Sequence, residues 1–160
     1  MRIDRKIITR DRAETIIGEL KSQNKRVVFT NGCFDLLHVG HLELLEQCRS
    51  FGDILVVGIN TDRSLKIIKG PDRPILPQED RARLVASLEM VDYVVLFDEE
   101  TPFEILSQIK PNILVKGGDY KFDEIVGRDI VDEVKIIPFV KGKSSTSIID
   151  KILGRQQQTP

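Results

Sequence analysis

The chain has 160 residues, enough for one domain with a sizeable core, and no apolar run approaches the ~18 residues of a membrane span. A net charge of -1 leaves no basic excess to neutralise a phosphate backbone, which argues against general nucleic-acid binding. Hydrophobic residues at 41% and charged residues at 31% are ordinary for a soluble protein. No apolar segment follows the basic start Met1 to Lys6, so it is not a secretory signal. Cys33 and Cys48 suggest neither a zinc ribbon nor a disulfide framework. The expected setting is a reducing cytoplasm.

Thr9 to Lys25 reads as an amphipathic helix with Ile16, Ile17 and Leu20 on its apolar face, capped by Thr9 or Asp11. Arg26 to Asn31 is a strand and Val39 to Ser50 a helix. Asp53 to Asn60 is a continuous apolar run, the pattern of a strand buried on both faces. A helix over Pro77 to Met90 follows, then a strand over Asp92 to Phe97 and a helix over Pro102 to Lys110 that stops before Pro111. Asn112 to Lys116 and Val134 to Phe139 are strands, and Ser147 to Leu153 is a short final helix. The tail Arg155 to Pro160 reads as disordered. Strands alternating with helices predict one α/β domain over 1–160, a doubly wound parallel sheet of about five strands. Ligands of such sheets sit outside the carboxyl ends of the strands. That gathers 31–41, 60–73, 116–120 and 141–147 around one crevice.

The segment Val27 to His41 carries the most information. It reads as a buried strand, a glycine-containing turn and a helix start bearing both histidines of the chain, His38 and His41. Residues three apart share a helix face, and a helix N-terminus attracts anions. Two imidazoles there make a polyphosphate cradle, and Gly40 between them lets a phosphate approach the backbone. A His-x-x-His metal site would need further ligands, and no Cys/His cluster supplies them. Lys66, Lys69 and Arg73 read as a basic loop beside the crevice, suited to phosphate. Asp119, in the run Lys116 to Tyr120, stands where a carboxylate accepts hydrogen bonds from a ribose or sugar hydroxyl. Lys141 to Ser147 opens the last helix, with more hydroxyls than a cap requires. No nucleophile with a neighbouring general base is apparent, so positioning and charge stabilisation would carry the chemistry.

His38-Val39-Gly40-His41, preceded by Gly32-Cys33-Phe34-Asp35, resembles the His-x-Gly-His motif of the cytidylyltransferase-like nucleotidyltransferases. Within them the chain is most similar to the adenylyltransferases of D-glycero-β-D-manno-heptose 1-phosphate, the ADP-heptose synthases. Thr30 to Asp35, Lys69-Gly70 with Arg73-Pro74, Val91 to Val95, Leu114 to Tyr120 and Ser145 to Ile149 carry that match. The resemblance spans about Lys6 to Leu153 and implies a Rossmann-like HIGH-type fold. It also implies a stand-alone module, without the sugar kinase domain fused to it in some bacteria.

The implied reaction moves AMP from ATP to heptose 1-phosphate, releasing pyrophosphate for lipopolysaccharide core synthesis. The resemblance assigns His38, His41 and Lys69 to catalysis. It assigns Cys33, Phe34, His38, Gly40, His41, Asp119, Ser145, Thr146 and Ser147 to the nucleotide. Asp35, Lys69, Arg73 and Lys116 would meet the phosphorylated sugar. Mg²⁺ would ride on the ATP phosphates, with Asp35 as a candidate contact. Related cytidylyltransferases carry an arginine before the Ser/Thr run; here that charge falls to Lys141 or Lys143. Arg81 matches a family arginine, or else pairs on the surface with Glu79 or Glu89. The N-terminal helix either covers the sheet or joins two copies in the expected homodimer. The alternatives are an FAD synthetase, a glycerol 3-phosphate cytidylyltransferase, or a nucleotide-sensing module without turnover.

Overall fold

A computed structural model describes residues 3–154; the tail expected to be disordered lies outside the described residues. Six strands form one parallel sheet: β1 (Ile7–Ile8), β2 (Val27–Gly32), β3 (Ile54–Asn60), β4 (Tyr93–Phe97), β5 (Ile113–Gly117) and β6 (Glu133–Ile137). Their order across the sheet is β1-β4-β3-β2-β5-β6, every neighbouring pair parallel. β2 is flanked by β3 on one side and β5 on the other, so the winding reverses there. The crevice beyond the carboxyl ends of β2 and β5 is the topological switch point at which such sheets bind ligands.

Among the described residues, six α-helices complete the layers: α1 (Arg10–Ser22), α2 (Val39–Ser50), α3 (Asp62–Lys69), α4 (Gln78–Ala86), α5 (Phe103–Ile109) and α6 (Ser145–Ile152). Alternation along β2 makes the two faces visible. Val28 packs with Leu45, Cys48, Val85 and Ala86 under α2 and α4, whereas Val27 and Phe29 pack with Ala13, Ile17, Ile105 and Leu106 under α1 and α5. Each fully buried aliphatic or aromatic side chain contributes about 1.5–3 kcal/mol, so burial on both faces fixes the register of the central strands. Thr9 caps α1, which covers the sheet through Ala13 and Ile17.

Three expectations are corrected. The sheet has six strands rather than about five, because β1 is only two residues long and too short to show periodicity. Lys66 and Lys69 stand on α3, not on a loop; Thr61 caps that helix by accepting from the Ser64 N–H at 3.2 Å. The helix expected over Pro77 to Met90 covers only Gln78–Ala86, with Pro77 as its N-cap and Ser87 as its C-cap.

Candidate functional site

β2 delivers Cys33, Phe34 and Asp35 to the crevice, and α2 begins immediately beyond them. His38 is the N-cap of α2, with no side-chain cap bond of its own. Its ring stacks on His41, with centroids 3.9 Å apart and planes 25° apart; Phe34 lies 5.1 Å from His41 on another side. Phe34 is buried and holds a positive φ of 47°, which turns the chain sharply from strand to helix. Among the described residues, Nδ1 of His38 and Nδ1 of His41 are buried without a hydrogen-bond partner. Buried polar atoms are ordinarily satisfied, so two orphans on stacked imidazoles mark a place prepared for a ligand.

Burial drives both imidazoles toward the neutral form. It pushes His41 down to about 4, with the charge on His38 adding to the effect. His38 is lowered by burial first and then by Lys143. Negative charge placed beside them would act the other way, because it favours imidazolium.

The start of α6 closes the other side. Ser145 Oγ donates to the Leu36 carbonyl at 3.1 Å. Ser144 and Ser147 form a reciprocal capping box, which leaves Ser145 and Thr146 free to present N–H groups at the helix start. A Cβ placed on Gly40 would meet the His38 ring at 3.1 Å and Lys143 Cβ at 3.3 Å. Gly40 is therefore a packing requirement: it lets His38 fold over the start of α2 and lets the 141–144 turn come close. Of the two lysines proposed to replace the family arginine, this contact brings Lys143 to the histidines. Two helix N-termini and Lys143 thus converge on one point, a strongly anion-favouring arrangement.

Lys116, at the end of β5, donates from Nζ to Asn31 Oδ1 at 2.6 Å across the switch point, and burial pushes it down to about 8. Asn31 was not singled out from sequence; its distance of 85 residues from Lys116 hides the pair. Asp119 is exposed two residues beyond β5. Lys69 ends α3, and its charge reaches Cys33, whose thiol is pushed up by burial against the pull of Lys69, Arg81 and Arg73.

Asp35 does not fit its expected role at Mg²⁺ or sugar. Its side chain is buried, and its oxygens accept from Arg73 Nε at 2.6 Å, Ile75 N at 2.9 Å and Leu76 N at 2.9 Å. Burial alone would raise this carboxyl, but the Leu76 and Ile75 amides and Arg73 outweigh it and hold it below the usual range. Asp35 is the anchor of the 73–76 loop, and Arg73 gives it its Nε. Among the described residues no three His, Cys, Asp or Glu side chains gather to hold a metal.

Arg81 makes no surface pair with Glu79 or Glu89. It is fully buried, donating to Leu76 O at 3.0 Å, Cys33 O at 2.6 Å and Asp62 Oδ1 at 2.7 Å. One guanidinium thus ties β2's end, α3's start and the 73–76 loop together.

A model of the cytidylyltransferase-like family matches residues 29–152. The chain belongs to that family. The bifunctional protein HldE of a Nitratiruptor species is 57% identical over 139 residues, covering 87% of this chain and 30% of that protein. HldE of Geobacter sulfurreducens is 51% identical over 154 residues, 94% of this chain and 31% of that one. The chain therefore spans about a third of the length of these curated relatives. Among solved structures, a lipopolysaccharide core biosynthesis protein from Thermoplasma volcanium superposes with a TM-score of 0.61 at 31% identity, covering 74% of this chain and 99% of that one. Pantoate-beta-alanine ligase from Francisella tularensis gives 0.58 at 16% identity over 96% of this chain and 81% of that one, a likeness of fold.

Proposed function

We propose that the chain is an adenylyltransferase that transfers AMP from ATP to D-glycero-β-D-manno-heptose 1-phosphate, yielding ADP-heptose and pyrophosphate. The carrying observation is the stacked His38–His41 pair, whose buried Nδ1 atoms have no partner among the described residues and which faces Lys143 and the start of α6. The family match, the HldE relatives and the lipopolysaccharide core biosynthesis neighbour support the choice of substrate.

In this reading the triphosphate lies against the starts of α2 and α6. A phosphate oxygen of the sugar attacks the α-phosphorus in line. The new P–O bond forms as the bridge to the β-phosphate breaks, and the electron pair leaves on pyrophosphate. The neutral imidazoles become cationic as the triphosphate docks and then offset charge on the leaving group, an electrostatic task with no covalent intermediate. Lys69 and Lys116 would meet the acceptor phosphate, Asp119 the ribose, and Ser145, Thr146 and Ser147 the outer phosphates. Mg²⁺ would enter on the nucleotide, since the described residues gather no ligand set for it and Asp35 is committed to Arg73. We assign the enzyme to the cytoplasm as a homodimer; exposed Ile67, Ile68 and Ile75 offer apolar surface for the second copy.

Pyrophosphate release from Mg·ATP with a panel of sugar 1-phosphates, with CTP plus glycerol 3-phosphate and ATP plus FMN alongside, tests the reading. Release with ATP and the manno-heptose 1-phosphate, reduced about 100-fold or more by His41→Ala, is expected. Release only in another arm overturns the substrate, and an active His41→Ala variant overturns the role of the pair.

A further inference from the structure

We infer that Phe139 and Tyr120 form an aromatic seat for the adenine base of the bound nucleotide, assembled over the turn at Gly118; this rests on the nucleotide-binding reading above. Gly118 holds φ at +131°, and a Cβ there would lie 2.8 Å from Phe139 Cε2 and 3.2 Å from Tyr120 Cε2. The absent side chain is what lets the two rings close over the same backbone atom. The turn is fixed from below, because the Gly118 N–H donates to the Ile137 carbonyl at 2.8 Å. Both rings nonetheless face solvent: Phe139 is 67% exposed and Tyr120 46% exposed. Neither belongs to the core on either face of the sheet. Two large aromatics brought to one braced glycine, outside the core, are a poor way to fill space and a good way to present π surface.

Their position relative to the phosphate cradle follows from α2. Gly40 and Leu44 are four apart and share one face of that helix. Gly40 abuts Lys143, whereas Leu44 packs 3.1 Å from a Cβ built on Gly117. The Gly117–Gly118 turn therefore lies about one helical turn, ~5.4 Å, along α2 from the histidine and Lys143 cluster. That offset suits a nucleotide whose phosphates sit at the helix starts, whose ribose meets Asp119, and whose base lies beyond it. The Phe139 side chain offers no charged or hydrogen-bonding group, so that half of the seat grips by stacking. A two-ring purine presents more surface to it than a pyrimidine.

The chain has no tryptophan and two tyrosines, Tyr93 and Tyr120, so ultraviolet emission comes from these two and comparison with Tyr120→Phe isolates the share of Tyr120. The experiment titrates the full chain with ATP and with inorganic tripolyphosphate, following tyrosine emission and calorimetric Kd. ATP should quench emission and tripolyphosphate should not. Tyr120→Phe should bind ATP without the quench. Phe139→Ala should weaken ATP by about 5- to 150-fold, the range given by losing one base–aromatic stack, and leave the tripolyphosphate Kd unchanged. Phe139→Trp should restore ATP affinity. Equal weakening of both ligands, or an unchanged ATP Kd in Phe139→Ala, overturns the seat while leaving the nucleotide reading intact. A wild-type chain that binds tripolyphosphate as well as it binds ATP overturns the seat too. One that binds no ATP at all overturns both.

Discussion

Acidification from pH 7 to pH 5 should destabilise this protein through its histidine pair. His41 has an ordinary value of 6.5 in the unfolded chain and is pushed down to about 4 in the fold by burial and by His38. The folded state therefore binds fewer protons than the unfolded state between those values. Stability is complete above pH 6.5, falls as pH drops toward 4, and is flat below. Integrating the linkage between pH 7 and pH 5 for a shift of this size gives about 2 kcal/mol, or about 1–2 kcal/mol once its partial exposure is allowed for. His38 is lowered too and adds a contribution of the same sign. Asp35, held below its usual 3.8, contributes stability that is lost only as pH falls through still lower values, so it does not overlap this window. Urea unfolding at pH 7 and pH 5, on wild type and His41→Gln, measures the effect. The variant should lose clearly less stability across the interval. Equal losses in both proteins would refute the account of a buried, neutral imidazole.

Asp35→Ala leaves Arg73 and two backbone amides without their acceptor, and breaking a buried pair of this kind costs about 3–5 kcal/mol in urea unfolding. Asp35→Asn, which keeps an acceptor oxygen, should recover part of that loss; a metal or sugar role would instead leave stability untouched and remove only turnover. Gly40→Ala should fold once the His38 ring and the 141–144 turn give by a few tenths of an ångström, yet lower turnover at least about tenfold by splaying the imidazole stack. A variant with full activity would show that the stack is not part of the working geometry.

What the sequence made legible follows the physics of each element. β2 and β3 were legible because strands buried on both faces read as unbroken apolar runs, and α2 because its bounds follow the histidine motif and its apolar positions recur at helical spacing. α3 was not, because it is only eight residues long and its Lys66 and Lys69, next to Gly70, read as a basic loop, although Leu65 and Ile68 recur at helical spacing. Thr61 followed by Asp62 was its available sign, a capping residue with acid in the first turn. The histidine pair was readable as a motif, whereas the burial that sets its protonation was not. Arg81 was misread because its acceptors lie up to 48 residues away, so no local pattern distinguishes a buried arginine from an exposed one.

Asp35 and Arg81 show how charge serves this site without facing the ligand. Both are buried, and each joins segments that are distant in sequence but adjacent at the switch point. Asp35 fixes the 73–76 loop to the end of β2; Arg81 fixes the same loop at Leu76 and ties β2 to the start of α3. The two anchors share the short stretch Ile75–Leu76, so the basic side chains just before it, Lys69 and Arg73, hang from one braced frame. Such bracing matters most where catalysis is electrostatic: a cation that must move to reach the developing charge loses stabilisation that a preorganised one delivers. The buried acid and arginine therefore brace the switch point, the frame on which the lysines of the proposed reaction would be held in place.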